Sequence, residues 1–151
     1  MAYVLGLNAK MYRETSTDDS TYVLMDNIRD VSLSLTKATA DVTTRGGNGW
    51  RQTVSTLKEG SVSFSMVYDT GDADFTAIKD AFMNNSDVRL KILDGVDPPA
   101  AGETVQGLKS FFTVSDFSIN ENLEEAMTVD VTVQTTYSAT APAWYSVTTP
   151  E

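Results

Sequence analysis

Ser61-Val62-Ser63-Phe64-Ser65-Met66-Val67-Tyr68 and Met127-Thr128-Val129-Asp130-Val131-Thr132-Val133-Gln134-Thr135-Thr136-Tyr137 alternate apolar and polar side chains. Successive side chains of a strand point to opposite faces, so each stretch reads as a β-strand with one dry and one wet face. Asp30 to Lys37 repeats the pattern, with Val31, Leu33 and Leu35 set against Ser32, Ser34 and Thr36. Asp87 to Lys91 does the same with Val88 and Leu90, and Ile92 continues the apolar face. Phe111 to Ile119 is a further strand whose apolar residues fall in both phases: Phe111, Phe117 and Ile119 in one, Phe112 and Val114 in the other. That predicts burial on both faces, or cover by a partner chain. Val4, Leu5, Leu7 and Met11 mark an N-terminal strand, Thr15 to Ser20 a polar turn, and Tyr22 to Met25 a short strand.

The segment from Gly71 to Asn85 breaks the period of two. Phe75, Ile78, Ala81 and Phe82 fall on one helical stripe. Asp72 or Asp74 suits the N-terminus and Asn84-Asn85 a left-handed stop, predicting a helix over 72–85 that lies on a sheet. The order is three strands, a long connection, a strand, the helix and three strands, an antiparallel β-system with one helix.

Two connections are long. Residues 38–59 hold Arg45-Gly46-Gly47-Asn48-Gly49-Trp50-Arg51, and a loop of some 20 residues inside a compact domain is usually functional. Residues 94–107 contain Gly95, Pro98-Pro99 and Gly102 and read as a surface excursion. The tail 139–151 carries Pro142, Trp144, Tyr145 and Pro150, which suits either docking on a partner or packing on its own domain.

Composition removes whole classes of function. The 151 residues suit a single domain, 1–151, and a chain of this size hides roughly 68–70% of its unfolded surface without staples. Cysteine and histidine are both absent, so thiolate zinc sites, cysteine nucleophiles and Ser-His-Asp triads are excluded. The net charge is −10, which disfavours binding to nucleic acid or an anionic membrane. After Lys109 there are six acids and no Lys or Arg. This is either plain solubility or a surface that must not retain something anionic. The first residues carry no basic segment and no long apolar run, so no secretory signal is expected. No stretch approaches the roughly 20 apolar residues of a membrane span.

The chemistry-bearing clusters are weak. Arg45-Gly-Gly-Asn-Gly-Trp-Arg51 lacks the Lys-Ser/Thr of a phosphate loop and does not match the dinucleotide glycine pattern. It reads as a flexible hairpin tip, or as an arm with Trp50 as anchor and Arg45 and Arg51 seeking an acidic surface, since Trp and Arg dominate interface hot spots. Glu121, Glu124 and Glu125 do not fit a Ca²⁺ loop and read as a solvated turn; Asp69, Asp72 and Asp74 read as a turn and a helix cap. Strand Ser and Thr have no activating base. No cofactor, metal or catalytic residue is expected.

The runs Thr43 to Arg51, Thr56-Leu57-Lys58-Glu59-Gly60, Val62 to Asp69 and Asp74-Phe75 to Ala81-Phe82 resemble the phage tail tube protein family, in which a long loop ending in a tryptophan-basic pair leads into a strand, a helix and another strand. Gly107-Leu108, the strand 111–119 and the closing strand 127–137 also fit, so the resemblance spans about residues 20–140. It implies an antiparallel β-sandwich or half-barrel with one flanking helix and a long protruding inter-subunit loop, 38–59. Subunits of that family join edge to edge into rings, usually hexamers, whose inner wall is a continuous barrel and which stack head to tail. Carried onto this chain, Arg45, Gly46, Gly47, Gly49, Trp50, Arg51 and Leu57 would contact a neighbour, Thr128, Asp130, Thr132 and Gln134 would line the bore, and Trp144 and Tyr145 would serve a C-terminal arm, 139–151. The implied partners are further copies of the chain, a tape measure protein and transient DNA in the lumen, and a sheath or tail terminator protein, with no membrane. The implied place is a virion tail assembled in the host cytoplasm, whether of a phage, a gene-transfer particle or an injection device. The rival readings are a β-sandwich module binding sugar or peptide, and an enzyme working with carboxylates alone. Against the former, Trp50 and Trp144 lie in a loop and a tail rather than along one strand face.

Overall fold

The alternating stretches are strands in the computed structural model, which describes residues 5–6, 9–15, 21–136 and 140–150. The elements are β1 (Lys10–Glu14), β2 (Tyr22–Leu24), β3 (Ile28–Asp41), β4 (Thr53–Val67), α1 (Ala73–Asn84), β5 (Asp87–Leu93), β6 (Thr104–Asn120), β7 (Thr128–Thr135) and β8 (Ala143–Thr148). Of the expected N-terminal strand, Val4 and Leu7 lie outside the described residues, while Met11 sits in β1. Residues 16–20 of the expected turn and Tyr137 also lie outside them.

The eight strands form one antiparallel sheet in the order β2-β1-β5-β6-β7-β4-β3, with β8 also paired to β6, and the sheet curls into a half-barrel. The long strand β6 joins its two parts. Its first half lies between β5 and β8, and its second half pairs with β7. Val62, Phe64 and Met66 of β4 and Val129, Val131 and Val133 of β7 point into the core beside Phe112, Leu90 and Leu108. Burying a side chain of this kind stabilises by about 1.5–3 kcal/mol.

The two phases of β6 have a different cause from the one expected. In the first half of β6 both phases are buried, Val105 in one and Leu108 in the other, but from Phe112 to Ile119 they do not bury both faces. Val114 pairs with Val133 and Phe117 with Val131, so three steps along β6 match two along β7, and the extra residue is a bulge at Ser115. A bulge flips the alternation. Phe112, Val114, Phe117 and Ile119 therefore share one face, with Val114 and Phe112 buried and Ile119 half-exposed at the end of the strand. Phe111, on the other face, lies under the Arg89 guanidinium, 4.6 Å from the ring centre.

Helix α1 forms where the period changes. The Asp72 carboxylate accepts the Asp74 N–H at 3.2 Å as N-cap, and Asn85, at φ 54°, ends the helix in the left-handed region. Phe75, Ile78 and Ala81 are buried against β5 and β6, and the Phe82 ring stacks on Phe117 at 5.9 Å. Asp74 is buried as well, and accepts the Arg13 Nε–H at 2.9 Å, tying α1 to β1. Burial raises its carboxyl pKa, and the hydrogen bond from Arg13 opposes the shift.

Two expected loops are shorter than the sequence reading drew them. Strand β6 begins at Thr104, leaving 94–103 as the excursion, and the stretch 38–59 is largely strand.

Candidate functional site

Strands β3 and β4 outrun the rest of the sheet. The last pair joining β4 to β7 is Ser61–Gln134, and Gly60 is the last buried residue of β4 on that side. Beyond it β3 and β4 pair only with each other, through Thr36–Glu59, Lys37–Lys58, Thr39–Ser55, Ala40–Val54 and Asp41–Thr53. Residues 38–59, expected as a loop, are thus the outer part of a protruding hairpin, and only 42–52 connect its strands. A short turn, Arg45–Gly47, with Asn48 at φ 54° and Gly49 at φ 85°, reverses the chain. The Thr43 hydroxyl accepts the Gln52 N–H at 2.9 Å and closes the tip. The Asp41 carboxylate accepts the Thr43 N–H at 2.8 Å, and hydrogen bonds from the Thr43 side chain and backbone lower its pKa.

This hairpin touches almost nothing. Its residues from Ser34 to Glu59 are exposed except Gly47, which is half-buried. Trp50 is 76% exposed and Leu57, which lies in β4 rather than in a loop, is 79% exposed. Leu35, Val42 and Val54 also present apolar surface. Lys37 stands directly across from Lys58, and like charges so placed destabilise a strand pair. None of Lys37, Arg45, Arg51 and Lys58 has an ion-pair partner among the described residues. Isolated two-stranded hairpins are marginal in water, and exposed apolar clusters mark interaction sites. Arg45, Gly46, Gly47, Gly49, Trp50 and Arg51 sit together at the tip, while Leu57 lies further down the arm.

The second surface is the wet face of the sheet formed by β6, β7, β4 and β3. Thr128, Asp130, Thr132 and Gln134 share it, each exposed or half-buried. Cross-strand pairing places Ser118, Asp130, Ser65 and Arg29 in one row, and Asp116, Thr132, Ser63 and Ser32 in the next. The Asp130 carboxylate accepts from the Asn120 amide at 2.6 Å, and Ser63 and Thr132 hydroxyls meet at 3.4 Å. By register its charged residues include Glu59, Asp116 and Asp130, with Arg29 and Lys109 as bases, so the acids exceed the bases among them. The serines of β4 and β3 extend the four β7 positions into a face four strands wide, and their alternation in the sequence is the signal for it. Its edges are open: β3 has no outer partner strand among the described residues, and β5 leaves β6 at Thr113.

The tail does not extend as an arm among the described residues. Ala143–Thr148 pairs with Thr104–Lys109 of β6, so this segment packs on its own domain. Tyr145 turns inward: its ring covers the Lys91 ammonium at 4.3 Å, and its hydroxyl donates to Asp97 at 3.3 Å. Lys91 is buried, pairs with Asp97 at 2.9 Å and also lies under the Tyr22 ring, an arrangement no sequence motif announced. Trp144 stays outward, with its indole N–H on the Gln106 amide oxygen at 3.0 Å. The two tryptophans stand on separate elements, the hairpin tip and β8.

Comparison with known proteins gives these surfaces a context. Residues 10–138 match the family described as phage tail tube protein. No curated protein sequence matches the chain. Among solved structures, the chain is similar to a subunit from the tail of an empty gene transfer agent particle with C6 symmetry, with a TM-score of 0.71 at 16% identity, covering 95% of this chain and 99% of that one. It is similar to the SPP1 tail tube, with a TM-score of 0.68 at 15% identity over 87% of this chain and 75% of that one. A subunit of the anti-feeding prophage baseplate, six-fold symmetrised, gives a TM-score of 0.64 at 8% identity over 98% of each chain.

Proposed function

The chain belongs to the phage tail tube protein family, and from that premise we propose that this structural tail protein forms hexameric rings that stack head to tail, with the wet face of β6, β7, β4 and β3 lining a bore for DNA. The observation that carries the reading is a polar sheet face bounded by two open edges. An edge strand as long as β3, with 14 residues, is a template for aggregation unless its open side is covered or paired. Rotation about an axis brings the inner part of β3 of one copy beside the open edge of β6, residues 114–120, of the next, and closing the ring covers the edges that face each other there. The C6 symmetry of the gene transfer agent tail supports the ring number.

The chemistry of the face suits passage rather than binding. A cationic wall would hold DNA by releasing its counterions. Here Glu59, Asp116 and Asp130 outnumber Arg29 and Lys109, and hydroxyls and amides are common among the other positions. A tape measure protein would occupy the bore before DNA does, and a sheath or tail terminator would meet the outside or the end of the stack. The test is electron microscopy of tubes assembled from the purified chain. Six-fold rings with Asp116 and Asp130 facing the bore are expected. A stable monomer at high concentration, or a bore of net positive potential, overturns the proposal.

A further inference from the structure

The hairpin tip holds the chain's one Asn-Gly pair, Asn48-Gly49. Asparagine followed by glycine is chemically reactive. The main-chain nitrogen of the next residue can attack the side-chain carbonyl carbon, and a glycine there has no side chain to block the approach. Every other asparagine precedes a residue with a side chain, such as Ile28 after Asn27 and Glu121 after Asn120. The amides of Asn27 and Asn120 are also held in hydrogen bonds, to Asp72 at 3.0 Å and to Asp130 at 2.6 Å. The Asn48 amide has no hydrogen-bond partner among the described residues, and both Asn48 and Gly49 are exposed. A carbon added at Gly49 would meet nothing within 4 Å, so the space around this glycine is empty.

We propose that Asn48 is a modification site, at which the unassembled chain deamidates through attack of the Gly49 nitrogen on Asn48 Cγ. Solvent hydroxide takes the Gly49 amide proton. The nitrogen bonds to Cγ, the Cγ–Nδ2 bond breaks, and the side-chain nitrogen leaves as ammonia with a proton from water. Water then opens the cyclic succinimide at either carbonyl, giving an aspartyl or an isoaspartyl residue at position 48. The ring needs Cγ and the Gly49 nitrogen on one side of the Asn48 Cα–C bond. At φ 54° and ψ 38° they lie apart, so this bond must turn. The tip permits the turn. Its hydrogen bonds run from Gly47 N–H to Thr44 at 3.1 Å and from Trp50 N–H to Gly47 at 3.0 Å, and opening one exposed bond slows the reaction by roughly tenfold at most. The chain's one Asp-Gly pair, Asp94-Gly95, is the contrast. Asp94 N–H donates to Gln106 O at 3.1 Å and its carboxylate accepts Gln106 N–H at 3.0 Å, which clamps the pair to β6. Either product at position 48 sets a carboxylate between Arg45 and Arg51, and the isoaspartyl form also lengthens the main chain where it reverses. An aged chain thus carries a less basic tip. This chemistry is independent of the ring reading.

The test is peptide mapping of the purified chain, kept dilute enough to stay monomeric and aged at mildly alkaline pH. Trypsin cuts after Arg45 and Arg51 and releases Gly46–Arg51, and both products separate from that starting peptide by mass and retention. Deamidation at Asn48 is expected to rise with pH and to run at least about tenfold faster than at Asn27 or Asn120. It should also lie within about tenfold of the rate in the free peptide Gly46–Arg51, because an exposed tip opens at little cost. Asp94→Asn builds a second Asn-Gly pair on the clamped site, and it is expected to react at least about tenfold more slowly than Asn48 in the same molecules. If Asn48 reacts more than about a hundredfold more slowly in the folded chain than in the free peptide, or no faster than Asn27, the proposal is overturned. Equal rates at the two pairs of the Asp94→Asn chain would show that the dipeptide alone decides, and would overturn the part assigned to the open tip.

Discussion

Replacing Gly107 by alanine tests the packing of the sheet at its most crowded point. Gly107 lies in β6 between Leu93 of β5 and Tyr145 of β8. A methyl carbon built there collides with the Ile92 carbonyl oxygen and lies 2.7 Å from its carbon and 2.9 Å from Leu93 Cα. All three atoms are backbone, so no side chain can swing away. Restoring ordinary contact requires β5 and β6 to separate by roughly 1.5 Å, more than a hydrogen bond tolerates. Overpacking of this kind costs about 1–3 kcal/mol, and one or two lost ladder bonds add about 1 kcal/mol each. The sum is about 3 kcal/mol, or a fall in Tm of about 6–12 °C for a domain of this size. The assay is thermal unfolding by circular dichroism at a concentration where wild type is monomeric, because assembly would raise the apparent Tm. Gly95→Ala is the control: its added carbon meets only Val105 Cγ2 at 3.6 Å, an ordinary contact. A Gly107→Ala protein within about 0.5 kcal/mol of wild type, or no less stable than Gly95→Ala, would refute the reasoning.

Lys91→Ala removes a buried cation from between Asp97, Tyr22 and Tyr145, leaving a half-buried carboxylate, and should cost about 3 kcal/mol. Amide exchange across Ala143–Thr148 should accelerate with it; unchanged protection there would show that Lys91 does not hold β8. Asp72→Ala removes the cap of α1 and the acceptor for the Asn27 amide at 3.0 Å, so a loss of about 1 kcal/mol in urea unfolding is expected, and none would contradict the capping role. Asp74 predicts a pH dependence. Its folded pKa is raised by burial above the unfolded value, so the folded state binds the proton more tightly, and this contribution to stability is present at low pH and lost as pH rises through the raised pKa. Asp74→Asn does not titrate. The stability of wild type relative to Asp74→Asn should therefore improve as pH falls from neutral towards the ordinary carboxylate range, and urea midpoints that keep a constant gap would disprove it.

What was legible in the sequence follows from what each element touches. Val62, Phe64 and Met66, and Val129, Val131 and Val133, alternate cleanly because one face of their strands meets the core and the other meets water. Helix α1 was legible for the same reason, with Asp72 and Asn85 marking both ends. The bulge at Ser115 was not legible, since no glycine or proline marks it and only pairing with β7 reveals the extra residue. Strand β8 lay hidden between Pro142 and Pro150, although Trp144, Tyr145 and Val147 are good strand formers. The buried Lys91 could not be foreseen, because Asp97, Tyr22 and Tyr145 come together only through the sheet.

The misreading of 38–59 as a loop has the most instructive cause. Sequence patterning marks a strand where one face is dry, and the outer half of the β3–β4 hairpin has no dry face within its own chain. Leu35, Val54 and Leu57 are spaced unevenly, and the one extra residue between Lys58 and Ser55, against Lys37 and Thr39, breaks the alternation again. Yet the segment holds a regular ladder and a tip closed by Thr43 and Asn48, so it is built rather than loose. A built arm with exposed Trp50 and Leu57 and an opposed lysine pair is poorly explained by the stability of one chain, because each of those features costs that chain free energy. They make sense if the missing dry face belongs to another copy. The same segment was thus opaque as secondary structure for the reason that makes it a candidate interface: it has no dry face within its own chain.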